Sequence, residues 1–239
     1  LPADDRTVTY LLQTGVHDGG QWDMFVNIVK KYGVVPKHAM PETFQSSATG
    51  SMNRLLNTNL KTGAAALRNL CREGAGAEAV EARKAELLKE AYNFLSICYG
   101  APPQTFDFEY CDKEKQYHID RGLTPHRFFE KYVDMDLDAY VSIIDAPTKD
   151  KPYQHMYTVK YLGNVSGGQE VAYLNLPMEE MKALIIRQLQ DGEVVWFGSD
   201  VSKFGDRAGG IWDDKSFEYE LLTGLDLSLT KEERLDYRD

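Results

Sequence analysis

Leu95-Ser96-Ile97-Cys98-Tyr99-Gly100-Ala101-Pro102-Pro103-Gln104-Thr105-Phe106-Asp107-Phe108-Glu109-Tyr110 contains the change of pattern that decides the fold. Up to Tyr99 the apolar residues recur three or four apart, the spacing of one helix face. The two prolines lack the N–H that a helix requires and crowd the preceding turn, so the helix ends before them. From Thr105 onward polar and aromatic residues alternate, which places Phe106, Phe108 and Tyr110 on one side of a half-buried strand. Helical patterns lie before this point and strand patterns mostly after it.

Working back, Ala77 to Tyr99 carries Leu87, Leu88, Ala91, Leu95 and Cys98 on one stripe, and Asn53 to Arg72 carries Leu56, Leu60, Ala64, Leu67 and Cys71. Glu73-Gly74-Ala75-Gly76 separates them, so a helical hairpin is expected. Asp23 to Tyr32 reads as a further helix, with Gly33 placed for a left-handed C-terminal cap. Working forward, Thr124-Pro125 starts a short helix through Phe128, Phe129 and Tyr132. Strands are expected at Tyr140 to Ile144, Tyr157 to Leu162 and Glu170 to Leu174, the last two joined as a hairpin by Gly163 to Gly168. Pro177 opens an amphipathic helix through Leu189 that Gly192 closes, and Val194-Val195-Trp196-Phe197 reads as a buried strand. The pattern as a whole is α+β.

The 239 residues are 43% hydrophobic and carry a net charge of −10 with 37 acidic against 27 basic side chains, enough apolar material for a core. An acidic chain without a Lys/Arg-rich run is a poor partner for duplex nucleic acid, whose binding depends on neutralising phosphates. No apolar run reaches the length of a membrane span, and Leu1-Pro2-Ala3-Asp4-Asp5-Arg6 has no signal-peptide pattern. Three cysteines, none in a C-x-x-C pair, fit a reducing intracellular compartment. The chain starts without Met in a polar segment and stops at Glu232 to Asp239, so a piece of a longer protein is expected.

No complete catalytic motif is present: there is no G-x-S-x-G, Walker A loop or H-E-x-x-H, and His17, His38, His118, His126 and His155 lack metal-ligand spacing. Asp134-Met135-Asp136-Leu137-Asp138 imitates the opening of a calcium loop, but Ala139 stands where the sharp turn needs glycine, and a solvated acidic turn is the expectation. Asn164-Val165-Ser166 is a glycosylation sequon that a cytosolic protein does not use. Cys71 and Cys98 read as small buried hydrophobes on helix stripes. Cys111 sits at a strand edge beside Asp112, whose charge works against a thiolate. His17-Asp18-Gly19-Gly20-Gln21-Trp22 admits two readings: a plain loop with a helix start, or glycine backbone left open to pair with an extended peptide.

Several stretches taken together resemble one known family. They are His17-Asp18-Gly19-Gly20-Gln21-Trp22-Asp23-Met24-Phe25, Lys31 to Lys37, Met40-Pro41-Glu42, Tyr92-Asn93-Phe94-Leu95, Pro102 to Tyr110, Val195 to Val201 and Glu233-Arg234-Leu235-Asp236-Tyr237. In this order, end to end, the chain resembles the aminopeptidase C and bleomycin hydrolase family of papain-like cysteine peptidases. The resemblance implies an α+β papain-like cysteine proteinase fold, partial here, with a helical insertion. Residues 1–50 would belong to its helical subdomain, 51–125 to the insertion, and 126–239 to a mixed segment leading into the β-rich subdomain. It also implies a cytoplasmic homohexameric ring that removes N-terminal residues from peptides by way of a cysteine thioester, without a metal or organic cofactor.

In that family the oxyanion-hole glutamine and the nucleophilic cysteine precede the segment matching Asp18-Gly19-Gly20, and the histidine and asparagine follow the one matching Arg234 to Tyr237. The catalytic residues are therefore expected outside this chain, and the chain alone is expected to be inactive. What the resemblance carries over is substrate binding. Gly19 and Gly20 match a glycine pair whose backbone runs antiparallel to the substrate, and Asp18 lines the same wall or meets the free amine of the peptide. Trp22 and Phe197 correspond to positions around the pocket for the second substrate residue, though each also reads as plain core. The insertion helices are candidates for contacts in the ring. The competing reading, from a different class, is a non-catalytic peptide-binding or assembly module derived from the family.

Overall fold

The Asp5 carboxylate accepts the Thr7 amide at 2.6 Å, satisfying one of the free N–H groups at a helix start. The first helix, α1 (Arg6–Thr14), follows it and was not among the sequence-based expectations. The structure is a computed structural model that describes residues 2, 4–199, 205–213 and 215–237. It divides into two units, Leu1–Leu137 and Asp138–Asp239.

In the first unit, α2 (Trp22–Tyr32) matches its expected span to one residue and ends at Gly33, whose φ is +73°. A Cβ at Gly33 would stand 2.3 Å from the carbonyl carbon of Pro125 and 2.5 Å from the nitrogen of His126. With ψ −162° the cap is not the expected left-handed one, but glycine is still required twice, for a positive-φ backbone that other residues avoid and for the close approach. Across this contact Val34 donates its N–H to the Pro125 carbonyl at 3.2 Å, and His126 Nε2 lies 3.2 Å from the Lys30 carbonyl. Val26, Val29 and Leu137 are buried together, with Trp22, Val34 and Phe129 packed around them.

After the single turn α3 (Phe44–Ser47) come α4 (Gly50–Arg72) and α5 (Ala77–Tyr99), the expected helical hairpin. Buried Gly63 lets them approach, since a Cβ there would reach within 2.9 Å of the Leu87 methyl carbons. Cys98 is buried as its stripe position predicts, but Cys71 is exposed. It lies in the last turn of α4, where the adjoining turn offers Gly74 and Gly76 and little side chain to cover it.

β1 (Phe106–Cys111) falls where alternation begins and pairs antiparallel with β2 (Tyr117–Leu123), a strand not anticipated. α6 (Pro125–Phe128) starts at Thr124, whose hydroxyl accepts the Arg127 amide at 3.3 Å. It continues through one wider turn, Phe129–Val133, and ends at Asp134 with φ +44°. Phe108 packs edge-on against Phe128 and Tyr132, with ring centroids 4.9 and 4.7 Å away, an arrangement that suits aromatic quadrupoles. The Asp134 to Asp138 stretch leads into a short 3₁₀ turn, Leu137–Ala139. Among the described residues no group of three carboxylate, His or Cys side chains is arranged to hold a metal.

The second unit contains β3 (Ile143–Ile144), β4 (His155–Thr158) and β5 (Ala172–Asn175) in the order β3-β5-β4, β3 parallel and β4 antiparallel to β5. These strands are shorter than expected and the β4–β5 loop is longer, running from residue 159 to 171. Asn175 is fully buried. Its Nδ2 donates to the carbonyls of Ala146 at 3.0 Å and Lys151 at 2.7 Å, while its Oδ1 accepts the Ala146 amide at 2.9 Å. α7 (Met178–Gln190) follows Pro177 as expected, and then come a short pair, β6 (Gly205–Asp206) and β7 (Ile211–Trp212), and the helices α8 (Tyr219–Thr223) and α9 (Lys231–Tyr237).

The buried strand expected at Val194 to Phe197 is not formed: Val194 is 81% and Phe197 76% exposed. Apolar residues suit a segment to a strand, yet a strand exists only beside a hydrogen-bonded neighbour. Among the described residues no strand runs alongside it. Asp200 and Val201, which end one of the family stretches, lie outside the described residues.

Candidate functional site

Between α1 and α2 the chain crosses a segment, residues 15–21, that has no regular structure. It is held against α4 by three side chains spaced four residues apart, Thr49, Asn53 and Asn57, which fall along one row of the helix surface. Asn57 makes a two-way contact with the backbone of Val16, its Oδ1 accepting the amide and its Nδ2 donating to the carbonyl, both at 2.7 Å. One turn earlier, Asn53 Nδ2 donates to Asp18 Oδ1 at 3.0 Å, and Thr49 Oγ1 donates to Asp18 Oδ2 at 2.5 Å. Thr49 is the N-cap residue of α4, yet its side chain makes no capping bond to its own helix. Gly15, at φ +67°, permits the approach, because a Cβ there would lie 2.1 Å from Asn57 Oδ1.

Each carboxylate oxygen of Asp18 therefore accepts one hydrogen bond from within the chain. The bond from Thr49, then that from Asn53, with the nearby His17 acting in the same direction, hold this carboxyl below the usual carboxylate range against a smaller opposing effect of desolvation. His17 Nδ1 donates to the Asp18 carbonyl at 2.9 Å. Gly19 and Gly20 follow directly and are exposed. Among the described residues their N–H and C=O groups make no hydrogen bond. Gly19 has φ +100°, which favours glycine, and open space around it. Gly20 has neither a left-handed backbone nor a crowding neighbour, since a Cβ there would find only the Met24 sulfur, 4.0 Å away.

Trp22 opens α2, half-buried, with its ring 5.5 Å from that of Phe25 and its flank on the Val26–Val29 core. Phe197 belongs to the second unit, in the exposed stretch 193–199. Of the residues singled out in the sequence, the fold thus brings together Asp18, Gly19, Gly20 and Trp22. The holding residues Thr49, Asn53 and Asn57 escaped the sequence reading. The available signal was two asparagines four apart in a helix interior, where asparagine is a poor helix former.

His17, His38, His126 and His155 each place a ring nitrogen against a backbone carbonyl, and His118 places Nε2 2.7 Å from Asp112 Oδ2. Among the described residues no histidine is hydrogen-bonded to a cysteine sulfur.

The chain is a mixed α+β fold with an open glycine backbone beside a helical hairpin, and comparison with known proteins gives its family. A family model described as the peptidase C1-like family matches residues 1–239, and the chain belongs to that family. It is 50% identical over 235 residues to aminopeptidase C of Lactobacillus delbrueckii subsp. lactis, covering 98% of this chain and 52% of the relative. It is 46% identical over 235 residues to aminopeptidase C of Listeria innocua serovar 6a, with 98% and 53% covered. The crystal structure of PepW from Lactobacillus rhamnosis HN001 superposes with a TM-score of 0.91 at 50% identity, over 99% of this chain and 53% of that one. The chain spans about half the length of the curated relatives it matches.

Proposed function

We propose that these residues are the substrate-binding portion of a cysteine aminopeptidase, a papain-like enzyme that removes N-terminal residues from peptides through a cysteine thioester. The observation that carries this reading is the Gly19–Gly20 backbone, which is exposed and without hydrogen-bond partners among the described residues. An unpaired N–H and C=O edge without side chains accepts an extended peptide by strand pairing. At Gly20 nothing among the described residues demands glycine, so an approaching backbone supplies the reason for it.

In this reading Asp18 forms part of the same wall, and Trp22 contributes to the pocket for the second substrate residue. Residues 1–50 belong to the helical papain-like subdomain, 51–125 to the insertion, and 126–239 to the segment leading into the β-rich subdomain. The nucleophilic cysteine, the histidine that serves as base and acid, and the asparagine that orients it lie on other residues of a longer polypeptide. The absence of any Cys–His hydrogen bond among the described residues and the doubled length of the relatives support that assignment. The whole enzyme works in the cytoplasm as a homohexameric ring.

The test is the mass of the intact polypeptide together with hydrolysis of an aminoacyl fluorogenic substrate, with and without a thiol-alkylating reagent. The expected result is alkylation-sensitive hydrolysis from a polypeptide well above 27.1 kDa and none from residues 1–239 alone. Hydrolysis that survives alkylation, or alkylation-sensitive hydrolysis by residues 1–239 alone, would overturn the proposal. A full polypeptide that binds peptides without cleaving them would identify a non-catalytic module instead.

A further inference from the structure

The row Thr49, Asn53 and Asn57 serves no purpose in the helix that carries it. Interior asparagines weaken a helix, and an N-cap threonine that points elsewhere leaves its first amides to other partners. All three side chains instead reach residues 16–18, more than thirty positions earlier in sequence. The match is geometric as well as chemical. One four-residue step along a helix rises about 6 Å, and two residues of extended chain from Val16 to Asp18 cover at most about 7 Å. The segment therefore runs antiparallel to α4 with Val16 opposite Asn57 and Asp18 opposite Asn53 and Thr49. Asn57, donating and accepting at one residue, replaces the neighbouring strand that the segment lacks.

We infer that Asp18 is a positioning residue: with Thr49, Asn53 and Asn57 it clips the 15–18 segment to the insertion helix, and so sets the Gly19–Gly20 backbone in place for an incoming peptide. This rests on the proposed peptide-pairing role of the two glycines. Its chemical content is that Asp18 acts through its hydrogen bonds rather than by meeting the free amine of the substrate with its charge. Both oxygens are already engaged, and the low titration of the carboxyl follows from the same two donors.

The experiment uses the full-length polypeptide that carries these residues. In Asp18→Ala, Asn57→Ala and Thr49→Val, KM for a peptide with a free N-terminus rises about tenfold while kcat moves by less than about twofold, as lost ground-state positioning requires. Asp18→Asn rescues the Ala variant to within about threefold of the original KM, because its amide accepts from Asn53 and donates to the Thr49 hydroxyl. Amide hydrogen exchange supplies a readout independent of catalysis. The Val16 amide exchanges at least about tenfold faster in Asn57→Ala, while the Val29 amide in α2 keeps its protection and reports intact folding. An Asp18→Asn variant as impaired as Asp18→Ala would show that the charge itself is read and would overturn the inference. An unchanged Val16 amide in Asn57→Ala would overturn it as well. A full-length polypeptide without peptidase activity would refute the functional proposal, while the exchange experiment would still decide the clip.

Discussion

Replacing Gly33 with alanine tests how the first unit is tied together. The residue sits at φ +73°, and a Cβ there would stand 2.3 Å from a backbone carbon and 2.5 Å from a backbone nitrogen of the α6 start. With ψ −162° this is a region essentially confined to glycine, where an L-residue costs about 1–3 kcal/mol. The collision is with main chain, so no side-chain rotation relieves it. The α2–α6 junction must open, which breaks the 3.2 Å Val34–Pro125 hydrogen bond, worth about 1 kcal/mol. Gly33→Ala is therefore expected to cost about 3 kcal/mol. Gly74 provides the control, with a similar φ of +76° and open space around it; Gly74→Ala carries only the conformational cost of about 1–2 kcal/mol. Urea unfolding with an unchanged slope measures both. If the two variants lose equal stability, the close approach of α2 and α6 contributes nothing and the reasoning fails.

Two further predictions concern buried and titrating groups. Asn175→Leu leaves the Lys151 carbonyl and the Ala146 amide without partners and the Ala146 carbonyl with the Thr148 amide alone, and at about 1 kcal/mol or more for each buried unsatisfied group the loss is expected to reach about 2 kcal/mol; a thermal midpoint within a degree or two of the original would refute this. The Tyr132 hydroxyl donates to Asp120 Oδ2 at 2.5 Å, and that bond, then desolvation, pushes the phenol above its ordinary range. Because the folded value exceeds the unfolded one, the contribution is complete below about pH 10 and fades as pH rises through the folded value. Absorbance titration should show one tyrosine ionising well after the others, and Tyr132→Phe should remove that late step alone.

The helices from Trp22 to Tyr32 and across Gly50–Arg72 and Ala77–Tyr99 were legible in the sequence because their information is local. A stripe three or four residues apart, a glycine behind it and prolines beyond it act within one or two turns of chain. The family stretches were equally legible, being a matter of residue order. What required tertiary structure is everything that depends on a distant partner. Val194 to Phe197 has the composition of a buried strand, yet Val194, Trp196 and Phe197 stand exposed, since composition does not specify which strand will lie alongside. Cys71 follows the helical stripe yet is exposed. The sequence drew attention to Asp18-Gly19-Gly20, but not to the bonds that hold it, because Asn57 and Val16 are separated by 41 positions and meet only once α4 has been laid against the segment. Periodicity and turn chemistry report how a chain is built within a few residues; hydrogen-bond partners across tens of residues are chosen by packing.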